Sequence, residues 1–190
     1  MPPTDLDPAT LRRACDGDRE ALRALIVRHQ DLVWATAARV LGPRSPDLPD
    51  VAQDAMLKVL HALPGFDPQG PARLSTWIAT ITLRTALDVA RRRRVVVPLD
   101  ALADARADAP LADEVLDDAD ARACLARAVS ALAPEQRAAM ELRVEHELSY
   151  DQIAAALRVD VGTVKSRLAR ATAALRAALA ATLTPESRHG

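Results

Sequence analysis

The sequence predicts an all-α protein: two small helical domains joined by an acidic, flexible linker. Three observations lead there. Hydrophobic residues make up 49% of the 190-residue chain, yet aromatics are only 2% and glycines number six, so alanine and leucine dominate and favour helix over sheet. Apolar residues recur at three- and four-residue steps along most of the chain. Charge comes in blocks: residues 73–94 hold six arginines against one acid, residues 95–120 eight acids against one base, and residues 121–180 nine bases against six acids. An acidic, proline-bounded stretch between two basic, periodic ones reads as a tether between packed units.

The elements follow in order. Asp7-Pro8 is an N-cap followed by proline at the first helical position, opening a short helix to about Cys15. Asp18 caps a longer helix whose apolar stripe includes Leu22, Leu25, Ile26, Leu32, Val33 and Val40, stopped by Gly42-Pro43. Asp47 or Asp50 starts a third helix, with Val51, Ala55, Met56 and Val59 inward. "LPGFDPQGP", Leu63–Pro71, reads as a loop. A fourth helix runs from about Ser75 into Arg91–Arg94, with Trp77, Ile78, Ile81 and Leu87 inward. Val95–Val97 alone has strand character and is too short to pair. After the acidic stretch, periodicity returns near Leu111. Pro134 starts the next helix, and Ser149 with Gln152 forms a capping box for another, ending near Leu157. The turn Arg158–Asp160 follows, and Asp160 caps the last helix.

Two helices around a three-residue turn are a helix-turn-helix layout. On the last helix, Val164, Leu168, Ala171 and Leu175 share the packing face. The other face carries Gly162, Lys165, Ser166, Ala169 and Arg170; small residues let the axis approach a DNA groove, and the cations reach bases or phosphates. Arg167 lies toward the packing boundary, suited to phosphate or an internal ion pair. The helix N-terminus adds partial positive charge near Thr163. A solvated amphipathic helix at the edge of a bundle has the same pattern. Arg91–Arg94 complement a helix C-terminus, but four consecutive cations exceed what a dipole needs, and phosphate binding is the better reading. Phe66, in its loop, either stacks on an unpaired base or tucks back onto the bundle. Trp77 reads as core.

Enzyme classes find no support. His29, His61, His146 and His189 share no ligand spacing, no nucleophile elbow or phosphate loop occurs, and the acids lack EF-hand spacing. Cys15 and Cys124 lack a CxxC arrangement, so neither metal, cofactor nor disulfide is expected. No signal peptide and no apolar run of membrane length is evident, so a cytoplasmic protein without membrane insertion is expected.

Two blocks resemble bacterial RNA polymerase sigma factors of the extracytoplasmic-function (ECF) group. "DVAQDAMLKVLHALPGFDPQGPARLSTWIATITLRTALDVARRRR", Asp50–Arg94, is similar to the family's region 2. "ALAPEQRAAMELRVEHELSYDQIAAALRVDVGTVKSRLARATAAL", Ala131–Leu175, is similar to region 4. The resemblance implies a region 2-like domain over 8–94, a linker over 95–112, a region 4-like domain over 113–180 and a tail over 181–190. It implies docking on core RNA polymerase through Asp50, Gln53 and Asp54. It implies −10 recognition and melting by the loop and basic helix: Phe66, Arg73, Trp77, Arg84, Arg91, Arg92, Arg93 and Arg94. It implies −35 recognition by Thr163, Lys165, Ser166, Arg167 and Arg170, and an anti-sigma factor as a further partner. Arg84 stands where the family commonly has asparagine, and Met56 where it often has phenylalanine. A stand-alone helix-turn-helix regulator, or a sigma mimic that titrates an anti-sigma factor, are the rival readings.

Overall fold

The computed structural model describes residues 6–70, 72–96 and 118–183, and within these the side chains of 94–96, 118–123 and 181–183 are not described. Most of the predicted linker, the expected helical restart at Leu111 and the end of the tail therefore lie outside the described residues. Among those described the chain forms eight α-helices and a 3-10 turn: α1 (Pro8–Cys15), α2 (Arg19–Leu41), α3 (Leu48–Ala62), the turn Leu63–Gly65, α4 (Leu74–Val96), α5 (Asp118–Ala131), α6 (Pro134–Val144), α7 (Tyr150–Leu157) and α8 (Val161–Leu183).

Local chemistry explains where the helices begin and end. The Asp7 carboxylate accepts from the Ala9 and Thr10 amides at 3.1 and 2.9 Å, and Asp18 accepts from Ala21 at 2.9 Å, each satisfying amides with no intrahelical partner. Gly42 ends α2 at φ +94°, a conformation that disfavours a side chain. Asp47 sits at the N-cap position of α3, where the sequence starts that helix, but makes no side-chain cap bond; its carboxylate is held by Arg93 of α4 instead. Val95 and Val96, whose strand character is too short to pair, continue α4 instead.

Helix α4 is rich in threonine, a poor helix former. The chain accommodates this by back-bonding: the Thr80, Thr82 and Thr85 hydroxyls donate to the carbonyls of Thr76, Ile78 and Ile81 at 2.9–3.0 Å. These polar residues can then line the middle of a packed helix without orphaned hydroxyls.

Helices α1–α4 enclose one core, built on Leu25, Val33, Val59, Leu63 and Ile78. A second core crosses from this first lobe into the second. Val40, Leu83, Ala86 and Leu87 of α2 and α4 join Ala138, Leu142, Ile153, Leu157, Val164 and Leu168 of α6–α8 in one buried cluster. Each fully buried leucine or isoleucine contributes about 1.5–3 kcal/mol, so this cluster opposes separation of the lobes. Polar contacts cross the same boundary. Arg39 pairs with buried Glu141, Arg137 donates to the Val40 carbonyl, and Thr76 Oγ1 lies 3.2 Å from His146 Nδ1. The sequence predicts two tethered domains; the structure seats one on the other.

Candidate nucleic-acid interface

The helix-turn-helix is built by three caps in succession. At the start of α7, the Gln152 amide donates to Ser149 Oγ at 3.2 Å, and the Ser149 amide donates to Gln152 Oε1 at 2.8 Å. Arg158 ends α7 in the left-handed region at φ 54°, turning the chain sharply. Asp160 then caps α8, accepting from the Thr163 amide at 2.8 Å and from the Thr163 hydroxyl at 2.6 Å. Those Thr163 bonds hold the Asp160 carboxyl below its ordinary range.

The caps fix which way α8 faces. Val164, Leu168 and Ala171 are buried, and Leu175 is half-buried. Gly162, Lys165, Ala169 and Arg170 are exposed. Lys165 and Arg170 pair with no acid among the described residues, so both charges are available to a phosphate or a base. Thr163 and Ser166 are half-buried. Both hydroxyls donate internally, Ser166 to the Thr163 carbonyl at 3.0 Å, which leaves them mainly as acceptors. Arg167 is half-buried at the packing boundary, with Nη1 buried and lacking a hydrogen-bond partner among the described residues.

On the first lobe, Asp50, Gln53 and Asp54 lie on one exposed face of α3, at the three- and four-residue steps that align side chains. Asp54 also pairs with Lys58 at 2.9 Å. The arginine run ends nearby. Arg92 and Arg93 line, with Asp47, Asp50 and Asp54, a cleft of about 460 Å³ between α3 and α4, floored by Val51 and Val89. Acids and arginines read separately in the sequence thus share one cleft. Arg91, Arg92 and Arg93 are exposed, but Arg93 is held by Asp47, and Arg91 lies 3.8 Å from Asp88. The Arg94 side chain is outside the description.

Phe66 tucks onto the bundle: its ring lies 5.0 Å from that of Trp77, tilted by 48°, and both are half-buried. Arg73 is exposed immediately before α4. Arg84 faces the second lobe. Its Nε donates to the Ala156 carbonyl at 2.6 Å, and its Nη2 to that of Ala155 at 3.1 Å.

Sequence reasoning missed the residues at the lobe boundary: Arg39, Thr76, Arg137, Glu141 and His146. One signal was available. Glu141 falls on the apolar face of α6 beside Leu142, where a lone carboxylate needs a partner. Arg137 stands one turn back, at a spacing that allows a local pair, but it donates to Val40, and Arg39 reaches Glu141 from α2. Burial pushes the Glu141 carboxyl up, and Arg39 opposes that shift. Burial pushes the His146 imidazole down, favouring its neutral form. Among the described residues, no group of three metal-ligating side chains is assembled, and no helix is long and apolar enough to cross a membrane.

The sequences of the two lobes match two known family models. Residues 25–95 match Sigma-70 region 2, and residues 122–175 match Sigma-70, region 4. The chain is 31% identical over 179 residues to the ECF RNA polymerase sigma-E factor of Escherichia coli strain K12, covering 89% of this chain and 92% of that one. It is 31% identical over 185 residues to the ECF RNA polymerase sigma factor SigE of Mycolicibacterium smegmatis, covering 94% of this chain and 70% of that one. The solved structure of CnrH in complex with the cytosolic domain of CnrY is similar at a TM-score of 0.58 and 30% identity, covering 93% of this chain and 99% of that one.

The chain belongs to the ECF sigma factors of RNA polymerase. It acts in promoter-specific transcription initiation and is not an enzyme.

Proposed function

We propose that this chain docks on core RNA polymerase through Asp50, Gln53 and Asp54 of α3 and reads promoter DNA at two places. Helix α8 reads the −35 element as duplex. Lys165 and Arg170 make the charged contacts, Thr163 and Ser166 offer acceptors near the helix start, and Arg167 supports from the boundary. The loop around Phe66 and helix α4, with Arg73, Trp77, Arg84 and Arg91–Arg94, engage the −10 element and stabilise its open form. Strand opening is driven by capture of unpaired bases and phosphates. The chain then works in the cytoplasm, with the domain limits read from the sequence. The co-structure of CnrH with the cytosolic domain of CnrY supports a further protein partner, which we take to be an anti-sigma factor.

The observation that carries the proposal is the outward pair Lys165 and Arg170 on a helix whose start is fixed by Asp160. Run-off transcription with purified core polymerase on a genomic fragment library tests it. Promoter-dependent transcripts are expected with chain and core together, and none with either alone. Reversing Lys165 and Arg170 to glutamate should abolish those transcripts while core binding persists. Specific promoter binding by the free chain, unchanged by polymerase, would instead identify a stand-alone regulator.

A further inference from the structure

We propose that Arg84 is an intramolecular latch that keeps its own face of helix α4 covered by the second lobe until the protein is engaged. The consequence for promoter opening rests on the function proposed above; the latch itself does not.

A helix leaves its last four carbonyls without intrahelical partners. In α7 the left-handed turn at Arg158 satisfies one of them: the Ala154 carbonyl accepts from the Arg158 and Val159 amides. The Ala155 and Ala156 carbonyls come next. Arg84 reaches from α4, 71 and 72 residues away in sequence, and places one nitrogen on each. A guanidinium suits this site for two reasons. Its fork presents donors at the spacing of adjacent carbonyls, and its charge meets the negative end of the α7 dipole. An asparagine here would be too short, and uncharged, to do both.

The surroundings make the contact a latch and not an incidental bond. Leu83, Ala86 and Leu87 flank Arg84 on α4 and share the buried cluster with Ile153, Ala154, Ala156 and Leu157 of α7. Arg39 with Glu141 and Thr76 with His146 continue the seam along α2, α4 and α6. Burial and the nearby Arg158 make the Arg84 charge costly to hold, so without its carbonyls it gains by moving to water. Exposure around the seam is uneven. Asp50, Gln53, Asp54, Lys165 and Arg170 are all exposed in the closed form. The surfaces proposed for polymerase and the −35 element are therefore open while Arg84 is occupied. Docking precedes unlatching, and −10 engagement by Arg84 requires it.

The test uses the full chain with Cys15 and Cys124 replaced by alanine and spin labels at Gln30 and Ala173, exposed sites on α2 and α8. Pulsed electron resonance then reads the distance between the lobes. Wild type should give one dominant short distance. Arg84→Ala should raise the long-distance population about tenfold or more, the weight of a charge-assisted pair of hydrogen bonds. Arg84→Lys, which keeps the charge but on a single donor nitrogen, should restore much of the short distance. If Arg84→Ala fails to fold, Arg84→Gln carries the same expectation. Superimposable distributions for wild type and a folded Arg84 variant would overturn the latch. No promoter or polymerase enters this measurement, so its failure is separate from a failure of run-off transcription.

Discussion

Replacing Arg39 with alanine should destabilise the protein in a pH-dependent way, because it strands Glu141. The Glu141 side chain is 4% exposed, and Arg39 is its ion-pair partner across the seam. Without Arg39 the carboxylate must stay charged in the interior or take up a proton. Protonation sets the ceiling. From the ordinary value of 4.5, neutralising the group at pH 7.5 costs about 4 kcal/mol, and at pH 5.5 about 1.4 kcal/mol. Arg39 is itself 44% exposed, and water already screens the pair, so the expected loss at pH 7.5 is about 1–3 kcal/mol.

The sign follows from the direction of the shift. Burial raises the folded-state pKa of Glu141, so this group favours folding most below 4.5, and that contribution is lost as pH rises through the folded value. Removing Arg39 raises the folded value further and widens the window upward. His146 acts the same way on the difference, since Arg39 helps depress its pKa and its removal eases protonation. Urea unfolding of wild type and Arg39→Ala at pH 7.5 and 5.5 should show the deficit shrinking to about 1 kcal/mol or less at the lower pH. In an Arg39→Ala, Glu141→Gln background the Glu141 part of the pH dependence should vanish, leaving only the smaller dependence from His146. An equal deficit at both pH values, or a larger one at pH 5.5, would refute the account of a buried, partner-dependent carboxylate.

Two further outcomes test the helix-turn-helix. Ser149→Ala removes the acceptor for the Gln152 amide and should cost about 1 kcal/mol, read as a lower thermal midpoint of the full chain. Arg158→Gly relieves a side chain held at φ 54° and removes a cation near Arg84; it should stabilise by about 0.5–1 kcal/mol in denaturant unfolding.

Much of the local structure was legible in the sequence because caps are short-range chemistry. Asp7, Asp18, Ser149 and Asp160 each bond amides two or three residues away, so reading the adjacent residues was enough. The inward stripe of α8 and the exposure of Lys165 and Arg170 followed from a 3.6-residue repeat. Asp47 shows where this stops. As an acid before a proline-containing first turn it looks like a cap, yet an arginine 46 residues later takes its carboxylate.

The sequence by itself determined the helices, their polar and apolar faces, and the two separated basic blocks, because these depend on neighbours within a turn or two. The pairing of Arg84 with the end of α7, of Arg39 with Glu141, and of the arginine run with the acids of α3 was decided only in three dimensions. Those contacts join residues far apart along the chain, and many surface positions would have served each charge equally well until packing of the apolar faces fixed which ones met.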